Sequence, residues 1–241
     1  MQWSDVTTAL GDLLVVPITS AASQTPSSNT DFNNILPRIT EAAEQRIYRE
    51  IDFLATREED HSVTLSTSSR GFTLPTAIII LQSASVITPA STAPASGTRN
   101  PLLIVSKEFI DNVWPTELTG NTVPKYLALI SATAGIVAPT ADQTYELECT
   151  GIFRPTPISA SNTTTYLSLN YPDLFLYACM VFGCGYQRDF GAQSDDVKMA
   201  QSWEAQYQIA KTSTMEEEQR RKSQSTNWSP FSKTPLSSPR P

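Results

Sequence analysis

Side chains able to attack, ligate or shuttle protons are few in this chain: one histidine, three cysteines and several neighbouring carboxylates. His61 follows Glu58, Glu59 and Asp60 at what reads as a helix exit, where it is expected to be a solvated or turn residue. A serine hydrolase needs a base and a G-x-S-x-G elbow, and the elbow is absent. No Walker-type phosphate loop or Asp-x-Asp pattern is present. Asp195–Asp196 reads as the start of a helix, and Glu58–Glu59 as part of a solvated charge run. The apolar stretch PDLFLYACMVFGCGYQRDFG, residues 172–191, holds Cys179 and Cys184. Five positions apart on a helix, these thiols point to different faces, and a zinc site made with them would lack ligands. Gly183-Cys184-Gly185 is no dinucleotide fingerprint, because the third glycine would fall on Arg188. The cysteines read as small buried hydrophobes. No catalytic residue, cofactor site or metal-ligand set is legible, and an enzyme reading has no residue to carry it.

Those residues have to be positioned by elements, and the same stretch is the first of them. Its continuous apolar part, Leu174 to Cys184, is well short of the ~20 residues that span a bilayer, so no membrane segment is expected. It reads as a helix in the middle of a helical layer, with Pro172 in its first turn, Gly183 and Gly185 admitting a close neighbour, and Gly191 as its stop. Leu174, Phe175, Ala178, Val181 and Phe182 are expected to be buried between two further helices. One of these carries Leu36, Ile39, Ala43, Ile47, Ile51 and Leu54 in a single stripe, with Pro37 in its first turn. The other opens at Ser194 and carries Ala200, Trp203, Tyr207, Ala210 and Thr214. Beyond Thr214 the stripe fades, and Glu216, Glu217 and Glu218 stand four residues before Arg220, Arg221 and Lys222, the pattern of a solvated helix end. A short helix over residues 4–14 is also expected.

The middle of the chain has another rhythm. HSVTLSTSSRGFTLP, AIIILQSASVITP, NPLLIVS, KYLALISATAGIVAP and QTYELECTGIFRPTP are short, β-branched and punctuated by Pro, Gly and Ser, as half-buried antiparallel strands are. KEFIDNVWP reads as one short helix stopped before Pro115, and residues 83–100 as containing a long exposed loop. The fold class is therefore α+β. A helical core (1–60 and 166–222) is interrupted by a β-rich antiparallel insert (61–165) and followed by an extended Pro/Ser-rich tail (223–241). The tail has four prolines, yet Trp228, Phe231 and Leu236 are not what a spacer needs. They read as anchors of a segment that orders on a partner, either a neighbouring subunit or another protein.

Composition narrows the partners. A formal charge of −7 argues against a broad basic surface for nucleic acid. MQWSDVTTALGDLL has no basic region before an apolar run, so no signal peptide is expected, and an odd cysteine count suggests reduced thiols in a protein assembled in a cytoplasm.

The series ITEAAEQRIYREIDFLATR, TRNPLLIVSKEFIDNVWP, PKYLALI, YELECTGIFRPTPISASNTTTYLSLNYPDLFLYACMVFGCGYQRDFGAQ and SWEAQYQ resembles the head–tail adaptor (connector) proteins of tailed phages, most of all those of podovirus-type phages. The order of these segments over roughly residues 30–230 carries the likeness. The resemblance implies a structural virion protein at the head–tail interface with no catalytic role and no cofactor. It implies a homo-oligomeric ring, commonly twelve-fold, beneath the portal protein, carrying a tail nozzle or tail-tube protein and continuing a channel through which DNA passes without specific binding. Trp228, Phe231 and Leu236 of the tail are the expected contacts with the portal or with a neighbouring subunit. The rival readings are another β-rich tail component, which would show repeats or a fibre-like region, and a small enzyme of unrecognised type, which would show a convergent polar pocket.

Overall fold

A computed structural model describes residues 1–14, 30–117, 120–187 and 196–225 of the protein. In chain order its helices are α1 (Trp3–Leu14), α2 (Thr30–Glu50), α3 (Lys107–Val113), α4 (Tyr166–Asn170), α5 (Pro172–Gln187) and α6 (Asp196–Ser225). Its strands are β1 (Arg57–Leu65), β2 (Gly71–Thr73), β3 (Ile78–Thr88), β4 (Thr98–Pro101), β5 (Leu103–Ile104), β6 (Tyr126–Leu129), β7 (Ala134–Ala138) and β8 (Tyr145–Phe153). The fold is α+β, and it forms two compact units. Met1–Leu54 with Thr156–Pro241 makes a helical unit, and Ala55–Pro155 makes a β-rich one.

In the helical unit, α5 packs against α1, α2, α4 and α6. Its Leu174, Phe175, Ala178, Cys179 and Met180 are completely buried, facing a shared core with Val6, Leu10, Phe32, Ala43, Ile47 and Tyr207. A side chain at Gly183 would put its Cβ 2.8 Å from Leu14 Cδ1, so glycine is what lets α1 lie against α5. The burial is not uniform around the helix. Val181 is half-buried and Phe182 is 36% exposed, contrary to the expected burial of both, because the described helices cover the other faces. On α6, Tyr207 and Thr214 are buried while Ala200, Trp203 and Ala210 are half-buried, and Trp203 meets Tyr177 of α5 with ring centroids 5.9 Å apart.

Two sequence expectations need correcting in this unit. Pro37 is not in the first turn, since α2 begins at Thr30 and Pro37 lies inside it. Proline there removes one helical hydrogen bond, and the Thr40 hydroxyl, donating to the Leu36 and Pro37 carbonyls at 3.2 and 3.0 Å, lies beside it. The end of α6 is not a solvated run either. Glu218 is 2% exposed, at the position where an apolar stripe would continue from Thr214. Of the three Glu–Arg/Lys pairs expected four residues apart, Glu217–Arg221 forms, at 2.6 Å. Lys222 instead reaches Asp52, and Arg220 Nε donates to the Glu216 carbonyl at 3.3 Å. Ser194 and Gly191 lie outside the described residues.

The β-rich unit holds two four-stranded sheets, ordered β1-β8-β3-β4 and β2-β7-β6-β5. All pairings are antiparallel except β5 with β6, which run parallel. Inward residues of both sheets, among them Val63, Val86, Leu147, Leu127 and Val137, share one core, so the sheets pack face to face. Phe72 of β2 lies opposite Gly135 of β7, and any Cβ at 135 would strike the Phe72 ring. On the other face of the second sheet sits α3, capped by Ser106, whose hydroxyl accepts the Phe109 N–H at 3.3 Å; its Ile110 packs with Ala128 and Ala138. The exposed loop expected within 83–100 is shorter than that stretch, because β3 continues to Thr88 and β4 starts at Thr98. His61 is also corrected: it lies within β1, not at a helix exit.

Burial sets a clear contrast for mutagenesis. Leu174→Ala is expected to cost about 2–5 kcal/mol, whereas Phe182→Ala, at a side chain 36% exposed, is expected to cost clearly less than full burial would make it. Chemical denaturation of the two variants checks this; equal losses would contradict the burial described.

Candidate interaction site

The sequence places its candidate contacts in the tail, so the end of α6 is where a site begins. Four groups converge on the buried Glu218 carboxylate. Tyr166 and Tyr171 donate their hydroxyls to Oε1 at 3.0 and 2.9 Å, and the Leu54 backbone N–H donates to Oε2 at 3.1 Å. The Arg221 guanidinium lies 3.5 Å from Oε1, bonds Glu217, contacts the Tyr166 hydroxyl, and sits 5.6 Å from the centre of the Tyr171 ring. Burial and then the Glu218 hydrogen bond push the Tyr166 and Tyr171 phenols up, so both stay protonated donors. The helix is thus fastened within a few residues of the place where the tail departs.

A second polar seam holds the middle of α6 on α2. Arg46 donates to both oxygens of Glu204, at 2.8 and 2.5 Å, and through Nε to Glu50 at 2.9 Å. Its guanidinium lies over the Tyr207 ring, 4.3 Å from the centroid. Lys211 and the Tyr207 hydroxyl reach the same Glu50 carboxylate at 2.8 and 2.9 Å. Burial raises the pKa of Glu50, but the bonds from Lys211, Arg46 and Tyr207 outweigh it and hold the group at about 2.

Trp228, Phe231 and Leu236 lie outside the described residues, so this geometry places none of them. What sequence reasoning missed is an apolar surface on the β-rich unit. Leu103 and Ile104 of the edge strand β5 are 62% and 45% exposed, and Phe109 and Val113 of α3 are 42% and 50% exposed. Leu103 pairs in register with Tyr126, and Tyr126 packs against Phe109 and Trp114 with centroids 5.6 and 5.4 Å away. Leu103 therefore lies on the α3 face beside the aromatic cluster of Phe109, Trp114 and Tyr126, whereas Ile104, next along the strand and opposite Leu127, belongs to the other face. The signal was present in NPLLIVS and KEFIDNVWP, whose apolar residues are too many for one buried face. Large exposed apolar patches mark association surfaces, and aromatic clusters are their usual energetic centres. No described helix is long and apolar enough to cross a membrane.

A helical unit interrupted by a small β-sandwich, with its polar groups spent on internal fastening and its apolar groups left at a sheet edge, has the chemistry of an assembly component. A family model for the SU10 adaptor protein matches residues 1–233, nearly the whole chain. The protein belongs to the SU10 adaptor protein family, the phage head–tail adaptors that the order of its sequence segments resembles. No curated protein matches it.

Two outcomes test the fastening. Glu218→Gln weakens a carboxylate serving several donors and is expected to cost about 1–3 kcal/mol, read as a lower denaturation midpoint. Glu50, with its folded pKa below the ordinary 4.5, contributes stability that is complete above about 4.5 and lost as pH falls from there towards about 2. Acid titration of unfolding is expected to show a smaller loss in Arg46→Met, and an unchanged loss would mean the seam contributes nothing.

Proposed function

We propose that this phage adaptor forms a closed ring beneath the portal, joins capsid to tail, and continues the DNA channel. The family match over residues 1–233 carries the reading. Its partners are the portal protein, a nozzle or tail-tube protein, and further copies of itself, with twelve-fold stoichiometry as the working number. The role is structural rather than catalytic, and the place is the head–tail interface of the virion, reached after assembly in the host cytoplasm.

Physical arguments support each part. A ring needs head-to-tail interfaces that close. The exposed surface of Leu103 and Phe109 around Tyr126 is chemically suited to one side of such an interface. Positive side chains neutralising phosphates would add affinity and slow DNA passage, and a subunit of formal charge −7 avoids that. The tail supplies the portal contact, with Trp228, Phe231 and Leu236 as its anchors. Extended at ~3.3–3.6 Å per residue, the 16 residues that follow α6, 226–241, can leave their own subunit. Each aromatic buried at the far end returns about 1.5–3 kcal/mol, and repetition around a ring multiplies weak contacts.

The expected behaviour is a chain that is monomeric when dilute and oligomeric on the portal. Removing Ser223 to Pro241, or changing Trp228 and Phe231 to Ala, is expected to leave melting nearly unchanged and to reduce attachment to portal-bearing heads. Leu103→Glu with Phe109→Glu is expected to impair ring closure while leaving the tail contact intact. Light scattering and co-sedimentation with portal measure both. Truncated protein joining heads as well as the full chain would remove the tail from the mechanism.

A further inference from the structure

The outer face of the first sheet carries a group of side chains that the adaptor reading does not use. Asp60 to Val63 of β1 shift register against β8, so His61 and Ser62 have Glu148 alone opposite them. The Asp60 carboxylate shapes this bulge by accepting the Ser62 N–H and hydroxyl at 3.0 and 2.7 Å. The bulge turns the His61 ring towards β8. Its Nδ1 lies 3.7 Å from Glu146 Oε1 and 3.8 Å from Glu148 Oε2. Ligand atoms of Glu59, His61 and Glu148 all lie within 4.8 Å of one another.

From this geometry we infer a binding site for one first-row divalent cation, with Glu59, His61 and Glu148 as ligands and Glu146 beside them. Three observations carry it. First, His61 Nδ1 is covered from solvent and has no hydrogen-bond partner. A separation of 3.7–3.8 Å is too long for a hydrogen bond. It is close to the spacing of two ligands on one ion, which at bond lengths of 2.0–2.2 Å stand about 3.4 Å apart in a tetrahedron. Second, three carboxylates gather here against one bonded guanidinium, Arg99. A divalent ion offsets that imbalance at the ring nitrogen. Third, Glu148 is 7% exposed in its side chain and is already oriented, because Arg99 Nε donates to both of its oxygens at 2.9 and 2.8 Å. An ionised carboxylate has about four acceptor positions, so it can keep Arg99 and still ligate. Hydrogen-bonded carboxylates of this kind are the usual outer support of metal ligands.

An imidazole with carboxylates favours zinc, or another of the later first-row ions, over the harder magnesium and calcium. The ion would clasp the edge strand β1 to β8 at the bulge, where the ladder is interrupted. No sequence motif announces the site, since its ligands come from strands far apart in the chain. The three thiols do not compete for the ion: Cys149, Cys179 and Cys184 are all buried, and burial pushes the Cys149 thiol up to about 12.

His61 is the only histidine, which makes the test direct. The full chain, stripped with chelator, is titrated with Zn²⁺ alone in competition with a metal indicator, while the imidazole nitrogens are followed by NMR. One equivalent is expected to bind, to move the single pair of ring resonances, and to raise the melting midpoint. His61→Ala, and separately Glu59→Gln at an exposed position that leaves the core untouched, are expected to weaken binding at least tenfold. With Co²⁺ in place of Zn²⁺, ligand-field bands are expected without a thiolate charge-transfer band. Zinc that binds equally to the His61→Ala chain, or that leaves the ring resonances unmoved, overturns the inference, as does the absence of saturable binding.

Discussion

Where the chain leaves the helical unit and where it returns, backbone N–H groups fall outside the regular elements and still need partners away from water. In this protein buried carboxylates supply them at both places. Glu218 accepts the N–H of Leu54, the last residue of the helical unit before the insert. Glu44, 1% exposed on the core side of α2, accepts the N–H of Ile158 at 2.9 Å and the hydroxyl of Thr165 at 2.7 Å, just after the chain returns. Each carboxylate is costly to bury, and burial raises the pKa of Glu44. The cost is offset because every bond is made to an N–H or hydroxyl that would otherwise be unpaired away from water. Thr165 closes the chain of contacts, since it is also the N-cap of α4, whose last turn leads into α5.

The same two glutamates mark the limit of what the sequence disclosed. Helical stripes were legible wherever burial meant apolarity: Leu36, Ile39, Ala43 and Ile47 on α2, Ile51 just beyond it, and Tyr207 on α6 are buried as their spacing requires. The strands were legible because β-branched residues cluster between Pro and Gly. Where burial meant charge, periodicity was blind. Glu218 sits at the continuation of the α6 stripe, and nothing in EEEQRRK separates it from its neighbours until Tyr166, Tyr171 and Leu54 are placed around it. His61 was invisible for a related reason: its partners Glu146 and Glu148 come from β8, and only the bulge in β1 aligns them. Phe182 fails differently. Its type says core, but core is decided by which neighbours pack on a face, and the described helices leave that one open.

The apolar surface of the β-rich unit belongs to the same question of neighbours. Edge strands in this unit are protected unequally. β1 carries Arg57, Glu58, Glu59 and Asp60 along with a bulge, and β4 ends in Pro101. Charge, bulge and proline are the devices that discourage strand-to-strand association. β5 has none of these, only its shortness, and its two residues are leucine and isoleucine. β5 therefore leaves an apolar edge beside an aromatic cluster, the kind of surface that invites association.

Within the helical unit, α6 is tied down along its length. Arg46, Glu204, Glu50, Lys211 and Tyr207 tie the middle of α6 to α2, while Glu218 and Lys222 tie its end to Leu54 and Asp52. The tail follows within a few residues of that last tie. A tail that left from a frayed helix would lose part of any docking energy in ordering the helix first. If the tail docks as proposed, a fixed point of departure leaves only the tail's own residues to be ordered, and its prolines reduce the number of unfolded states to be lost. On the proposal that Trp228, Phe231 and Leu236 dock on a partner, the polar fastening of α6 and these few apolar anchors are two halves of one economy. The first keeps the ordering cost low enough for contacts as few as the second can make.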